Sequence, residues 1–86
     1  MNTFSLTISS PGGNIFKGEA VKLSLRGIEG DLAVMAGHIP FATAVKAGTC
    51  RVELPDGSER AADIGGGLLT VTKTGTILLS GSFEWK

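Results

Sequence analysis

Period-two alternation, cut at short intervals by glycine, limits what this chain can fold into more than any other feature. Phe4, Leu6 and Ile8 alternate with Ser5, Thr7 and Ser9. Val21, Leu23 and Leu25 alternate with Lys22, Ser24 and Arg26, and Cys50, Val52 and Leu54 with Thr49, Arg51 and Glu53. Successive side chains of a strand point to opposite faces, so each run reads as a strand with one buried and one wet face. Pro11-Gly12-Gly13 ends the first run, and Ile15-Phe16 opens a second strand that Gly18 interrupts. Pro55-Asp56-Gly57 reads as a hairpin turn, with Glu59 to Ile64 returning antiparallel. Leu69 and Val71 alternate with Thr70 and Thr72; Lys73-Thr74-Gly75 turns the chain, and Ile77 and Leu79 lead it back. No segment shows three or four turns of helical periodicity. The thirteen glycines fall between these apolar runs, as they do in chains of many short strands. The fold class that follows is all-β: a small antiparallel β-sandwich or flattened barrel.

With 86 residues the chain is expected to be one domain, residues 1–86. A domain of this size buries only about 60% of its unfolded surface, and a single cysteine rules out an internal disulfide. That cysteine fits a reducing compartment. Eight basic and eight acidic residues cancel, which speaks against the basic face that nucleic acid requires. No apolar run approaches membrane-spanning length. The opening Met1-Asn2-Thr3-Phe4 has neither the basic start of a signal peptide nor the arginines of a transit peptide. A soluble cytoplasmic protein is the expectation.

The densest punctuation lies between Gly27 and Lys46. Glu29-Gly30-Asp31 is a turn signal, Leu32 to Met35 is long enough for one strand, and Gly37-His38-Ile39-Pro40 breaks the chain again before Phe41 to Val45. This stretch resembles the epsilon subunit of F-type ATP synthases, called delta in mitochondria. The family pattern there is roughly G-x-E-G-[ED]-[LF]-x-[VI]-x-P-G-H-x-P-x-x-T-x-[IVL]-K-P-G. Gly27, Glu29, Gly30, Asp31, Leu32, Val34, Gly37, His38, Pro40, Thr43, Val45, Lys46 and Gly48 match it, while Ala36 and Ala47 replace two of its prolines. The segment from Ser10 to Ala20 is similar to the family's P-x-G-x-x-F-x-G-E-[VA], and that from Ile64 to Val71 to its S-G-G-[FI]-L-E-V. The three matches stand in the family's order and spacing, and the resemblance covers nearly the whole chain.

The resemblance implies a β-sandwich of about ten short strands and a non-catalytic rotor subunit of the central stalk. Such a subunit couples gamma-subunit and c-ring rotation to ATP synthesis or hydrolysis. The implied partners are the gamma subunit and the polar loops of the c-ring. The implied location is peripheral, on the cytoplasmic face of the cell membrane, with the coupling ion either proton or sodium. Carried over residue by residue, Glu29, Gly30, Asp31 and His38 are expected to meet the c-ring. The gamma-facing surface is expected around Ala42, Leu68 and Leu78. The resemblance implies no catalytic, cofactor or metal residues. Longer members continue into a C-terminal helical hairpin, and Phe83-Glu84-Trp85-Lys86 does not resemble its start. The expectation is therefore a coupling subunit without an inhibitory latch or nucleotide site, in which residues 80–86 at most cover a sandwich edge.

Read on their own, the residues leave other classes open. A free-standing β-sandwich interaction or ligand-binding module has the same strand pattern. His38 and Cys50 are the only residues of their types, and a Cys–His nucleophile needs a third orienting group and a pocket. The plainer readings are a loop histidine and a small core cysteine. One histidine, one cysteine and scattered acids do not make a zinc site. Gly65-Gly66-Gly67 lacks the Lys-Ser/Thr and the helix of a phosphate cradle, so it reads as a bulge or close backbone crossing. Glu29 and Asp31 read as an exposed turn. If the last hairpin turns about Thr74, it pairs Thr72 with Thr76, Thr70 with Leu78 and Leu68 with Ser80. Ile77 and Leu79 then face inward, while Leu68 and Leu78 form a small outward patch.

Overall fold

The computed structural model describes every residue except Met1 and His38. Among the described residues eight strands follow one another: β1 (Phe4–Ser10), β2 (Gly13–Ala20), β3 (Lys22–Gly27), β4 (Gly30–Met35), β5 (Phe41–Glu53), β6 (Glu59–Thr72), β7 (Gly75–Ser80) and β8 (Phe83–Trp85). No helix occurs among the described residues. The strands form one ladder in the order β2-β1-β7-β6-β5-β3-β4, with β8 on the free flank of β6. All pairs are antiparallel except β1 with β7.

The ladder becomes a sandwich because β5 and β6 bend together. In β5 the buried positions are Val45 and then Cys50 and Val52; in β6 they are Ala62 and Ile64 and then Leu69 and Val71. Side-chain direction alternates strictly along a flat strand, so a switch between odd and even positions marks the point where the sheet turns over. β3 pairs with β5 at Ser24↔Arg51 and next at Gly27↔Val45, a register jump that leaves extra β5 residues bulged at the corner. On the facing strand the corner is Gly65-Gly66-Gly67. A Cβ on Gly67 would lie 1.9 Å from the Leu79 carbonyl oxygen, and Gly66 has φ +93. The close-crossing reading of the triple glycine holds, and the backbone approach excludes any side chain at Gly67.

The bends also account for eight strands where the family pattern implies about ten. The breaks expected between Val45 and Thr49, and between Ile64 and Leu69, lie inside the continuous strands β5 and β6. Gly18 likewise lies within β2 rather than ending it.

One apolar cluster fills the space between the layers. Leu6, Ile8, Leu69, Val71 and Leu78 come from one layer, and Leu23, Leu25, Val34, Cys50, Val52 and Ile64 from the other. At one mouth, β8 places Phe83 and Trp85 on the same side. Trp85 meets Phe16 of β2 edge-on at 6.3 Å and Phe83 at 4.8 Å, under the Arg60 guanidinium 3.9 Å from the ring centroid. Residues at the end of the chain thus cover an edge, as expected for an extended segment.

Candidate docking surfaces

The last hairpin decides which apolar residues face outward. Its loop is two residues, Lys73-Thr74, and Gly75 already belongs to β7, opposite Thr72. Thr72 Oγ1 donates to the Gly75 carbonyl at 2.9 Å and fixes that short closure. The pairs are therefore Val71↔Thr76, Thr70↔Ile77, Leu69↔Leu78 and Leu68↔Leu79. Relative to a turn about Thr74, the register moves by one residue, and a one-residue slip sends every side chain of the strand to the other face. Leu78, expected outside, is fully buried against Leu69 and Ile8. Ile77 and Leu79, expected inside, are 44% and 48% exposed. Thr76 and Ser80 occupy the other inward positions of β7, and the Ser80 hydroxyl donates to the Gly66 carbonyl at 3.0 Å beneath the corner.

With this register, residues on the outer surface line up in two rungs. One runs Ser9–Leu79–Leu68–Ala44 across β1, β7, β6 and β5; the next runs Thr7–Ile77–Thr70–Ala42. Neither rung carries a charge. Strands about 4.8 Å apart make this surface about 15 Å wide, with Leu68, Leu79 and Ile77 raised between the small residues on either side. Lys17 stands beyond Thr7 on β2 and begins the polar border. The structure thus brings Ala42 and Leu68 onto one face and removes Leu78 from it. Sequence reasoning missed Ile77 and Leu79 because Ile77-Leu78-Leu79 is an unbroken apolar run, whose period gives no face. Thr76 and Ser80, two hydroxyl residues flanking Leu78 on the same side, pointed to a wet face, yet both are buried with it.

The second candidate surface is the β3–β4 tip. Gly27 and Gly30 pair across it, so the turn residues are Ile28 and Glu29 and Gly30 opens β4 at φ +130. A Cβ on Gly27 would meet Leu32 Cδ2 at 2.6 Å, which keeps the tip narrow. Glu29, Gly30 and Asp31 are all exposed, and among the described residues Asp31 is paired only with Arg26, at 3.6 Å. Such an exposed pair contributes under about 1 kcal/mol, so both carboxylates are available to a partner. A shallow groove joins this tip to Phe41 and Thr43 at the start of β5. His38 lies outside the described residues.

Cys50 is fully buried at the core, and burial pushes its thiol up to about 11. A nucleophile works as the thiolate, so this sulfur is packing material.

An all-β sandwich with an uncharged apolar face and an acidic tip can be compared with known proteins. Residues 3–86 match the family described as ATP synthase, Delta/Epsilon chain, beta-sandwich domain. The chain belongs to that family. The "ATP synthase epsilon chain, sodium ion specific" of Acetobacterium woodii is 36% identical over 83 residues, 96% of this chain and 62% of that relative. The delta/epsilon sandwich described here thus spans about three-fifths of the length of the curated relative it matches. Its backbone superposes with TM-score 0.91 on a chain of the Euglena gracilis mitochondrial ATP synthase, solved as OSCP/F1/c-ring in rotational state 1. Identity there is 21%, with coverage of 96% of this chain and 53% of the other. A chain of the Tetrahymena thermophila mitochondrial ATP synthase central stalk and c-ring gives TM-score 0.76 at 11% identity, over 92% and 63%. At these identities the structural likenesses establish the fold alone.

Proposed function

We propose that this chain is a single delta/epsilon sandwich domain, residues 1–86, that serves as a non-catalytic central-stalk subunit of an F-type ATP synthase. In this reading it links the gamma subunit to the c-ring so that the three turn together. The observation that carries the proposal is the pairing of family membership with two unlike surfaces on one stiff body. The apolar rungs through Leu68, Ile77 and Leu79 suit a permanent interface with gamma, since an obligate interface resembles a cut core. The Glu29–Asp31 tip suits polar, exposed loops such as those of a c-ring, where several modest charge contacts act together. His38, in the same matching family stretch, is assigned to the c-ring contact on that sequence match alone. An antiparallel sandwich with two-residue hairpin loops at both 28–29 and 73–74 transmits torque with little internal give.

The chain in this role works at the membrane without entering it, on the cytoplasmic side, as part of the synthase. The Acetobacterium woodii relative is named as sodium ion specific, which supports sodium as the coupling ion, with protons as the other outcome. The test is reconstitution. Adding the chain to epsilon-depleted synthase in vesicles should restore ion pumping driven by ATP hydrolysis. The Glu29→Lys, Asp31→Lys double variant should restore less pumping while still binding gamma. Full pumping by that double variant would overturn the assignment of the tip to the c-ring.

A further inference from the structure

The β5–β6 hairpin tip, residues 54–58, takes no part in either docking surface, yet it holds the sequence's only Asp-Gly pair, Asp56-Gly57. This pair is open to a spontaneous rearrangement. The Gly57 backbone nitrogen attacks the side-chain carboxyl carbon of Asp56, a C–N bond forms, and one carboxyl oxygen leaves as water. Water then adds back to the ring. When it opens the ring at the main-chain carbonyl, the backbone runs through the side-chain carboxyl, and an isoaspartate with one extra main-chain carbon results. Water lost and water regained balance, and no oxidant or cofactor takes part. Glycine favours the step because no side chain crowds its nitrogen.

The tip holds both reacting groups in other bonds. Asp56 Oδ1 accepts from the Ser58 backbone N–H at 2.8 Å and from the Ser58 hydroxyl at 2.6 Å. The Gly57 N–H donates to the Leu54 carbonyl at 3.0 Å, and Leu54 N–H donates to the Ser58 carbonyl at 2.8 Å. Attack requires Asp56 to leave Ser58 and Gly57 to leave Leu54. The Ser58 hydroxyl, and after it the Ser58 N–H, hold the Asp56 carboxyl below its ordinary value. The ionised form is the worse leaving group for this step. Gly57 sits at φ +90, a conformation that other residues adopt only under strain, so the turn keeps the glycine that makes the pair reactive.

We propose that Asp56-Gly57 is an isoaspartate-forming modification site held dormant by Ser58, which converts when the hairpin tip opens. The probe is enzymatic methylation of isoaspartate, with peptide mapping to place it, after ageing at neutral pH and 37 °C. Three samples are compared: the folded parent, the Ser58→Ala variant, and a peptide of residues 53–59. The parent should convert several-fold more slowly than the peptide. Ser58→Ala should convert at least twice as fast as the parent, and Ser58→Thr, which keeps the hydroxyl, should stay slow. A parent as fast as the peptide would overturn the proposal. So would a Ser58→Ala variant that has the parent's circular dichroism spectrum and the parent's rate. If Ser58→Ala loses structure, parent against peptide and parent against Ser58→Thr decide the matter.

Discussion

Leu78 and Leu79 are neighbours in the chain, and the hairpin register gives them opposite surroundings. Leu78 is packed between Leu69 and Ile8 with no exposure. Leu78→Ala should therefore destabilise the domain by about 2–5 kcal/mol, the cost of lost burial plus a residual cavity. Leu79→Ala, on the outer face, should stay within about 0.5 kcal/mol. Urea unfolding of the two variants separates these values. Cys50 gives a pH test. Its folded-state thiol titrates near 11, above the ordinary value of 9.0, so folding favours the protonated form. The contribution is fully present below pH 9 and is lost as pH rises through about 11, because the unfolded chain gives up that proton first. Replacing Cys50 with Ala should flatten this alkaline decline in stability, whatever the substitution costs at pH 7. At pH 8 the native thiol should also resist a disulfide reagent until denaturant is added.

At the scale of the elements, the corner of β5 and β6 determines the sandwich. Gly67→Ala would push a methyl group into the Leu79 carbonyl. It should destabilise by about 3 kcal/mol, the upper part of the usual range for overpacking, and lower the denaturation midpoint accordingly. Much of this scale was legible in the sequence. Leu6-x-Ile8, Leu23-x-Leu25 and Cys50-x-Val52 alternate strictly, and all six residues are in the core. Gly65-Gly66-Gly67 announced a close crossing. The corner itself was harder to read, because hydrogen bonding runs through it and only the inward face changes. The β6–β7 register was not legible for a related reason. A loop of two or three residues fits Lys73-Thr74-Gly75 equally well, and Ile77-Leu78-Leu79 carries no alternation to choose between them. The start of β4 was read two residues late: Gly30 and Asp31 look like turn residues but open the strand. The acidic surface survives that shift because Glu29 and Asp31 are exposed in either case.

For the whole molecule, the proposed seat of the gamma subunit is the outer face of β5, β6 and β7. Its residues are Leu68, Ile77 and Leu79 with Ala42 beside them, and Leu78 is not among them. A charge placed on this face would be desolvated on docking without a partner, at a cost of a few kcal/mol. The most direct measurement is calorimetric titration of a gamma subunit from a delta/epsilon-type synthase with the parent chain and with Leu79→Glu, both shown to be folded by circular dichroism. Leu79→Glu should bind about 100-fold more weakly, equivalent to about 3 kcal/mol, while the Glu29→Lys, Asp31→Lys variant should bind as the parent does. Parent-like affinity in Leu79→Glu would contradict this proposal and place gamma on another face of the sandwich.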